Sequence, residues 1–331
     1  MNPVTVIGAG AWGTALADAL ARNGHDTTLW AREDDVVAEV NGAHRNTRFL
    51  AGVDLHPALR GEGTLTTAVA SAGTIVFVAP SHVLRAVARE AAPAVPANAL
   101  LVVATKGIER ESFALMTDVI AQEIPGRRVV ALSGPSFAAE VAAQQPTAVV
   151  AACEEGDAAR EVQRLFASTA LRVYTQHDVI GVELGGALKN VMAVATGVLD
   201  GLGLGYNPRA ALITRGLAEM TRLGVALGGE PATFAGLAGL GDLVLTCTGS
   251  LSRNRTVGVE IGQGRPVAEV LAGRETVAEG VVTTQSAHAL ATSRGVSMPI
   301  VAAMHRILFE GTAPRDAIQE LMARALRAEG D

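Results

Sequence analysis

Val4 to Ile7 is a short apolar run that ends in Gly8-Ala9-Gly10-Ala11-Trp12-Gly13. A helical period follows, with Leu16, Ala17, Leu20 and Ala21 on one face, and it stops at Asn23-Gly24 before a second apolar run, Thr27 to Trp30. Strand, glycine turn, helix and strand at this spacing form the repeating unit of a parallel sheet. The glycines have separate tasks: the first makes the turn, the second lets the backbone approach a pyrophosphate, and the third lets the helix pack closely on the strand. Backbone N–H groups at the helix start then face the phosphates. A glycine turn of this form also occurs without any ligand. Between a strand and a helix at the start of the chain, it is the arrangement that binds a dinucleotide.

The tip of the second strand bears on which dinucleotide. An acidic residue about 20 positions beyond the glycines takes the ribose 2′-hydroxyl of NAD. Here the strand ends Trp30-Ala31-Arg32. An Arg at that tip suits a 2′-phosphate and favours NADP(H), with NAD(H) still possible. Glu33 and Asp34 follow directly and would reach a ribose if the strand ended a residue or two later. Without a ligand, Arg32 reads as a solvated loop charge.

Strand candidates continue at Thr74 to Val78, Leu100 to Ala104 and Arg128 to Leu132, with helical stretches around Val83 to Ala91 and Ser112 to Gln122. This alternation predicts an α/β fold, a mostly parallel, doubly wound sheet with helices on both faces. Ligands of such sheets bind beyond the C-terminal strand ends. Three of those ends carry notable residues: Ala79-Pro80-Ser81-His82, Thr105-Lys106-Gly107 and Ser133-Gly134-Pro135-Ser136. Pro135 suits the first turn of a helix, whose amides would meet a substrate oxygen. Ser136 reads equally as a helix-end hydrogen bond, and His82 as a polar residue at a helix start. The stretch from Val36 to Thr67 carries no usable motif. Leu171 to Tyr174 is predicted as the final strand.

From about Gly181 the pattern is helical, and an all-α domain is expected to follow. The boundary is placed at residue 186, giving a dinucleotide-binding domain over 1–186 and a helical substrate domain over 187–331. Lys189, in Gly185-Gly186-Ala187-Leu188-Lys189-Asn190, is predicted near the start of a long apolar helix at the seam between the two, where ligand sites often form. Asn207 and Pro208 are read as the cap and first turn of the next helix. Asp242 lies in a glycine-rich turn, placed either to hold an ammonium or a substrate hydroxyl or to cap a helix. Arg253 and Asn254 offer donors that suit a phosphate dianion, or else form part of a solvated loop. Glu279 is either a cofactor contact or a loop charge.

Of 27 Lys plus Arg, only Lys106 and Lys189 are lysine. Arg stays charged at any working pH, whereas a buried Lys amine can be tuned to give and take a proton. Two lysines in glycine-flanked segments are therefore candidates for chemistry, set against the plain alternative of two surface residues left by composition. The 331 residues suffice for two cores, which with 49% hydrophobic but only 3% aromatic residues must be built from Ala, Val, Leu and Ile. Mean hydropathy is +0.30, yet no uninterrupted apolar run approaches the roughly 18 residues of a spanning helix, so no membrane span is expected. No basic leader or cleavage pattern is evident, and a cytoplasmic protein is expected. Cys153 and Cys247 form no metal-ligand pattern, and neither a metal nor a disulfide framework is indicated. A net charge of −6 without long basic runs argues against nucleic acid.

The ordered set GAGAWG (8–13), VAPSH (78–82), ATKGIE (104–109), LSGPSFAAE (132–140), GVELGGALKNVMAVATG (181–197), NPRAALITRGLAEM (207–220), GLAGLGDLVLTCTGSLSRNR (236–255) and VAEG (277–280) resembles the bacterial NAD(P)-dependent glycerol-3-phosphate dehydrogenases over nearly the whole chain. Unrelated dinucleotide-binding proteins share only the first motif. The resemblance implies reversible reduction of dihydroxyacetone phosphate to sn-glycerol 3-phosphate, which supplies glycerophospholipid synthesis. It implies Lys189 as proton donor and acceptor, with Lys106 and Asp242 beside it. Lys106, Gly134, Ser136, Lys189, Asp242, Ser252, Arg253 and Asn254 would contact substrate, with Asn190 and Thr246 as secondary contacts. Gly8, Gly10, Ala11, Trp12, Gly13, Arg32, Lys106, Ala138, Arg253, Val277 and Glu279 would line the cofactor. A homodimer through the helical half is a further implication. Two other readings remain: a related dehydrogenase of a hydroxy acid or ketopantoate-like acid, and an NADPH-binding regulator without turnover.

Overall fold

The computed structural model describes residues 3–272, 278–326 and 328–329. Eight strands form one sheet: β1 (Val4–Ile7), β2 (Thr27–Trp30), β3 (Arg60–Glu62), β4 (Thr74–Phe77), β5 (Leu100–Val103), β6 (Val129–Ser133), β7 (Thr147–Ala152) and β8 (Leu171–Gln176). Their order is β3-β2-β1-β4-β5-β6-β7-β8, and every neighbouring pair is parallel except β6 and β7. The central strands β1, β4 and β5 are buried at every residue, as strands covered by helices on both faces must be. One face packs Val4, Val6, Leu16, Leu20, Val76 and Val102 together, and the other packs Ile7, Ile75, Phe77, Leu101 and Val103. The chain winds outward in opposite directions from β1 and β4, so a crevice opens between their C-terminal ends.

The expected sheet is present, with two strands that the sequence reading lacked. β3 has only three residues and no apolar alternation, and it pairs with β2 in register Thr28↔Arg60. β7 runs against β6, in register Ser133↔Val150, and β8 keeps the direction of β7.

After β8, the described residues hold helices and no further strand. The axis of this half is the helix Val179–Gly201. It begins ahead of the expected place because Asp178 caps it, accepting a hydrogen bond from Gly181 N at 2.8 Å. Lys189 is thus well inside the helix rather than near its start, and residue 186 also falls within it. Every residue from Gly181 to Leu199 is buried. This helix and the composite segment Pro231–Thr248 do reach the length and mean hydropathy of a membrane span, at 1.3 and 1.2. In the first, 89% of the apolar window is buried inside the protein itself. The following helix, Tyr206–Ala226, starts on Gly205 rather than on Asn207, and Pro208 falls in its first turn.

Glycines let other helices touch the axis backbone to backbone. The helix Arg253–Gly262 crosses it with Gly258 and Gly262 facing Gly197 and Gly201. A Cβ on Gly258 would lie 2.0 Å from Val194 O, and one on Gly197 would lie 2.1 Å from Arg255 O. Small residues four apart on both partners permit such an approach, and no larger residue does. Gly280, in the helix Glu279–Ser293, meets Asn190 O in the same way, at 2.4 Å. Glu183 ties the axis to the sheet domain by accepting Thr117 N at 3.0 Å, with the Thr117 hydroxyl on its other oxygen, at the start of the helix Met116–Glu123. Burial pushes the Glu183 carboxyl up to about 7 against those hydrogen bonds.

Candidate active site

The two lysines, far apart in sequence, share one carboxylate. Lys106 follows β5 and Lys189 projects from the axial helix. Asp242 opens the helix Asp242–Thr248, directly after a π-helical turn, Leu237–Gly241. Asp242 Oδ2 accepts from Lys106 Nζ at 2.5 Å and Oδ1 from Lys189 Nζ at 2.7 Å. Lys189 also donates to Thr246 Oγ1 at 2.8 Å, and the Thr246 hydroxyl in turn donates to Asp242 O at 2.7 Å. Lys106 donates in addition to Gly134 O at 3.1 Å.

Asp242 is fully buried, and the Lys189 side chain is 10% exposed. Burial pushes the Lys189 ammonium down to about 8; Asp242 pulls it back up, and Lys106 presses it further down. Burial also works against the Asp242 carboxylate, but the two ammonium groups hold it below the ordinary range. The site therefore combines an amine that can be charged or neutral near physiological pH with a carboxylate that fixes where its proton sits.

The loop after β6 supplies the next wall. Gly134 has φ +134°, and a Cβ there would come within 3.0 Å of Val149 Cα, so only glycine fits. Ser136 Oγ donates to Gly134 O at 3.0 Å. Gly134 to Ser136 do not open a helix, as the sequence suggested: Phe137 is the cap and the helix is Ala138–Ala142. Antiparallel β7 packs against this loop and sets the chain's path there.

A second cluster lies along the axis. Ser252 caps the helix Arg253–Gly262 by accepting Arg255 N at 3.3 Å. Asn254 donates to Asn190 Oδ1 at 2.9 Å and accepts Gly280 N at 3.0 Å, so it joins three helices. Asn190 belongs to the same tie. Arg253 is exposed and has no ion-pair partner among the described residues. A helix N-terminus with a free guanidinium beside it is a site for an anion.

The glycine turn has the geometry of a phosphate cradle. Gly8, at φ +114°, packs against the backbone of Val78 and Ala79, and a Cβ on Gly13 would sit 1.9 Å from Gly8 O. A Cβ on Gly10 would meet nothing within 4 Å, so that side is open to a ligand. Gly10 is the cap of the helix Ala11–Arg22 and has no side chain to satisfy the first N–H groups. Ala11 and Trp12 pack with Ala138, and the indole Nε1 is buried with no hydrogen-bond partner among the described residues. These features fit a dinucleotide's pyrophosphate.

Glu279 reaches across from the helical half to the end of β4, where Ser81 Oγ donates to it at 2.6 Å and Ser81 N at 3.3 Å. Burial raises its carboxyl above the ordinary range, while the Ser81 bonds and the nearby His82 and Arg253 side chains oppose this. Ser81 was within a segment singled out from the sequence, but nothing in its spacing pointed to Glu279. Arg32 stands apart from the lysine cluster at the tip of β2, with its side chain 82% exposed and 3.2 Å from Glu33 Oε1. Val277 lies outside the described residues. Cys153 and Cys247 are both buried and free. Among the described residues, no group of three or more His, Cys, Asp or Glu is placed to hold a metal.

Comparison with known proteins bears on the whole of this arrangement. A glycerol-3-phosphate dehydrogenase [NAD(P)+] from Geobacter sp. (strain M21) is 52% identical over 330 residues, covering 99% of this chain and 98% of that one. One from Geobacter sulfurreducens is 54% identical over 329 residues, covering 98% of each. The crystal structure of glycerol-3-phosphate dehydrogenase from Coxiella burnetii superposes with a TM-score of 0.94 at 41% identity, covering 98% of this chain and 99% of that one. Sequence models of the N-terminus and C-terminus of NAD-dependent glycerol-3-phosphate dehydrogenase match residues 3–159 and 178–319, and the chain belongs to that family.

Proposed function

We propose that this chain catalyses the reversible NAD(P)H-dependent reduction of dihydroxyacetone phosphate to sn-glycerol 3-phosphate, with Lys189 as the proton donor and acceptor. The observation that carries the reading is the fully buried carboxylate of Asp242, which holds the ammonium groups of both Lys106 and Lys189. The nicotinamide cofactor, when bound, supplies the hydride that adds to the substrate's C2 carbonyl carbon. As the carbonyl oxygen gains charge it needs a nearby cation and a proton. Lys189 provides both. Lys106 adds a second positive charge, and Asp242, held by both lysines, keeps Lys189 oriented. In the reverse direction the neutral Lys189 amine takes the alcohol proton.

Substrate phosphate is assigned to Arg253, Ser252 and the helix N-terminus, with Asn254 and Asn190 fixing that helix against the axis. Gly134 and Ser136 border the carbonyl end. The cofactor is assigned to Gly8, Gly10, Ala11, Trp12, Gly13, Ala138, Lys106, Arg253 and Glu279, with Val277 following on the resemblance alone. Arg32 suits a 2′-phosphate, which favours NADP(H). On the same resemblance we read the chain as cytoplasmic and as a homodimer through its helical half.

Oxidation of NADPH by purified protein tests the reaction. Absorbance should fall rapidly with dihydroxyacetone phosphate and slowly with dihydroxyacetone. At saturating NADPH, kcat/KM of Arg253→Ala for the phosphorylated substrate should drop by about 10- to 100-fold, the worth of losing charge-assisted bonds of roughly 1.5–3 kcal/mol. Under the same saturation dihydroxyacetone should be nearly unaffected; equal losses on both substrates would remove the phosphate role of Arg253. Arg32→Ala should lower the NADPH-to-NADH preference by about tenfold, the effect of one exposed charged contact. An unchanged ratio would assign the 2′-phosphate elsewhere.

A further inference from the structure

The segment between the helix Asp34–Ala43 and β3 carries no sequence motif, yet it sends one side chain into the glycine cradle. Asn46 is completely buried. Its Nδ2 donates to Ala9 O at 2.8 Å and to Thr14 Oγ1 at 2.8 Å, while its Oδ1 accepts Phe49 N at 3.2 Å. The partners fix which way the amide points: the Phe49 N–H requires an oxygen and the Ala9 carbonyl requires an N–H. Thr14 Oγ1 also donates to Ala9 O, at 3.1 Å. The Ala9 carbonyl is therefore drawn inward by two donors.

That carbonyl belongs to the same peptide plane as the Gly10 N–H. The peptide is trans, so the two bonds point in opposite directions. Holding Ala9 O inward turns the Gly10 N–H outward, on the open side of the cradle. A rotated plane would present a carbonyl oxygen there, which repels phosphate. We infer that Asn46 is a positioning residue for cofactor binding: it sets the Ala9–Gly10 peptide so that the cradle offers N–H groups, and not an oxygen, to the pyrophosphate. This rests on the reading of the glycine turn as the cofactor site.

Asn46→Asp is the discriminating variant. It is isosteric and retains the acceptor for Phe49 N, but it has no donor for Ala9 O and adds a negative charge beneath the phosphates. Its KM and Kd for NADPH should rise by about 10- to 100-fold, the range expected when a buried acceptor loses its donor and a binding loop is displaced. Its kcat should stay within about threefold, and its KM for dihydroxyacetone phosphate should not change. Asn46→Ala should act in the same direction but less strongly. A merely structural role would instead lower the amount of active enzyme and leave the NADPH KM as it was. Should neither variant fold, Thr14→Val removes the other inward donor and should raise the NADPH KM alone. Gly10→Val, which fills the open side, separates the two ideas. NADPH affinity like that of the wild type in Gly10→Val would overturn the cofactor site itself. Lost affinity in Gly10→Val with wild-type NADPH KM in Asn46→Asp, or in Thr14→Val where the Asn46 variants do not fold, would overturn the role of Asn46.

Discussion

Lys189→Arg is expected to lower kcat for dihydroxyacetone phosphate reduction by about 10²–10⁴-fold, the usual worth of a positioned general acid. The substitution keeps a positive charge beside Asp242. What it removes is the ability to release that charge, since a guanidinium does not deprotonate in proteins. NADPH affinity should change little, because the cradle is built from other residues. Single-turnover kinetics locate the loss in the chemical step. Near-wild-type single-turnover rates in Lys189→Arg would leave electrostatics as the whole role of this residue.

The second large effect concerns stability. Gly258→Ala should destabilise the protein by about 2–3 kcal/mol or more, because the new methyl must occupy space 2.0 Å from Val194 O. An isolated helix would gain from the same change, as Gly is roughly 0.5–1 kcal/mol worse than Ala in a helix interior. Gly42→Ala supplies that contrast. It lies in the helix Asp34–Ala43, and a Cβ there meets nothing within 4 Å. Thermal melts should show opposite signs, with Tm several degrees lower for Gly258→Ala and unchanged or higher for Gly42→Ala. The packing defect should also reach the site. Forcing the two helices apart pulls Asn254 from Asn190 and shifts the helix start that carries Ser252 and Arg253, so KM for dihydroxyacetone phosphate should rise in whatever fraction folds. Equal melting of the two variants would mean that the glycine contacts contribute nothing to this packing.

The sequence made some of this arrangement legible and hid the rest for physical reasons. The first strand, glycine turn and helix could be read because each glycine answers a steric demand within a few residues. Lys106 and Lys189 are distinguishable because every other residue among the 27 Lys plus Arg is Arg. The start of the axial helix was obscured because Gly181, Gly185 and Gly186 look like a turn in one dimension. Their reason is tertiary: Gly185 faces Ala238 O and Gly186 faces Ser133. The same holds for Asn46, whose three side-chain hydrogen bonds go to Ala9 and Thr14, both more than 30 positions away, and to Phe49 in its own turn. β3 was invisible because its pairing needs no side-chain pattern, and the antiparallel course of β7 because hydrophobic runs carry no direction.

The proton role of Lys189 is tested most directly by the pH dependence of kcat/KM in both directions. Reduction requires the ammonium, so its rate should hold below about pH 8 and fall as pH rises through the Lys189 pKa of about 8. Oxidation of sn-glycerol 3-phosphate requires the neutral amine and should rise over the same interval. Two mirrored limbs should cross near pH 8 in the wild type, and both should be lost in Lys189→Arg. A reduction rate that stays level from about pH 7 to 9.5, or limbs that bend the same way in both directions, would contradict it.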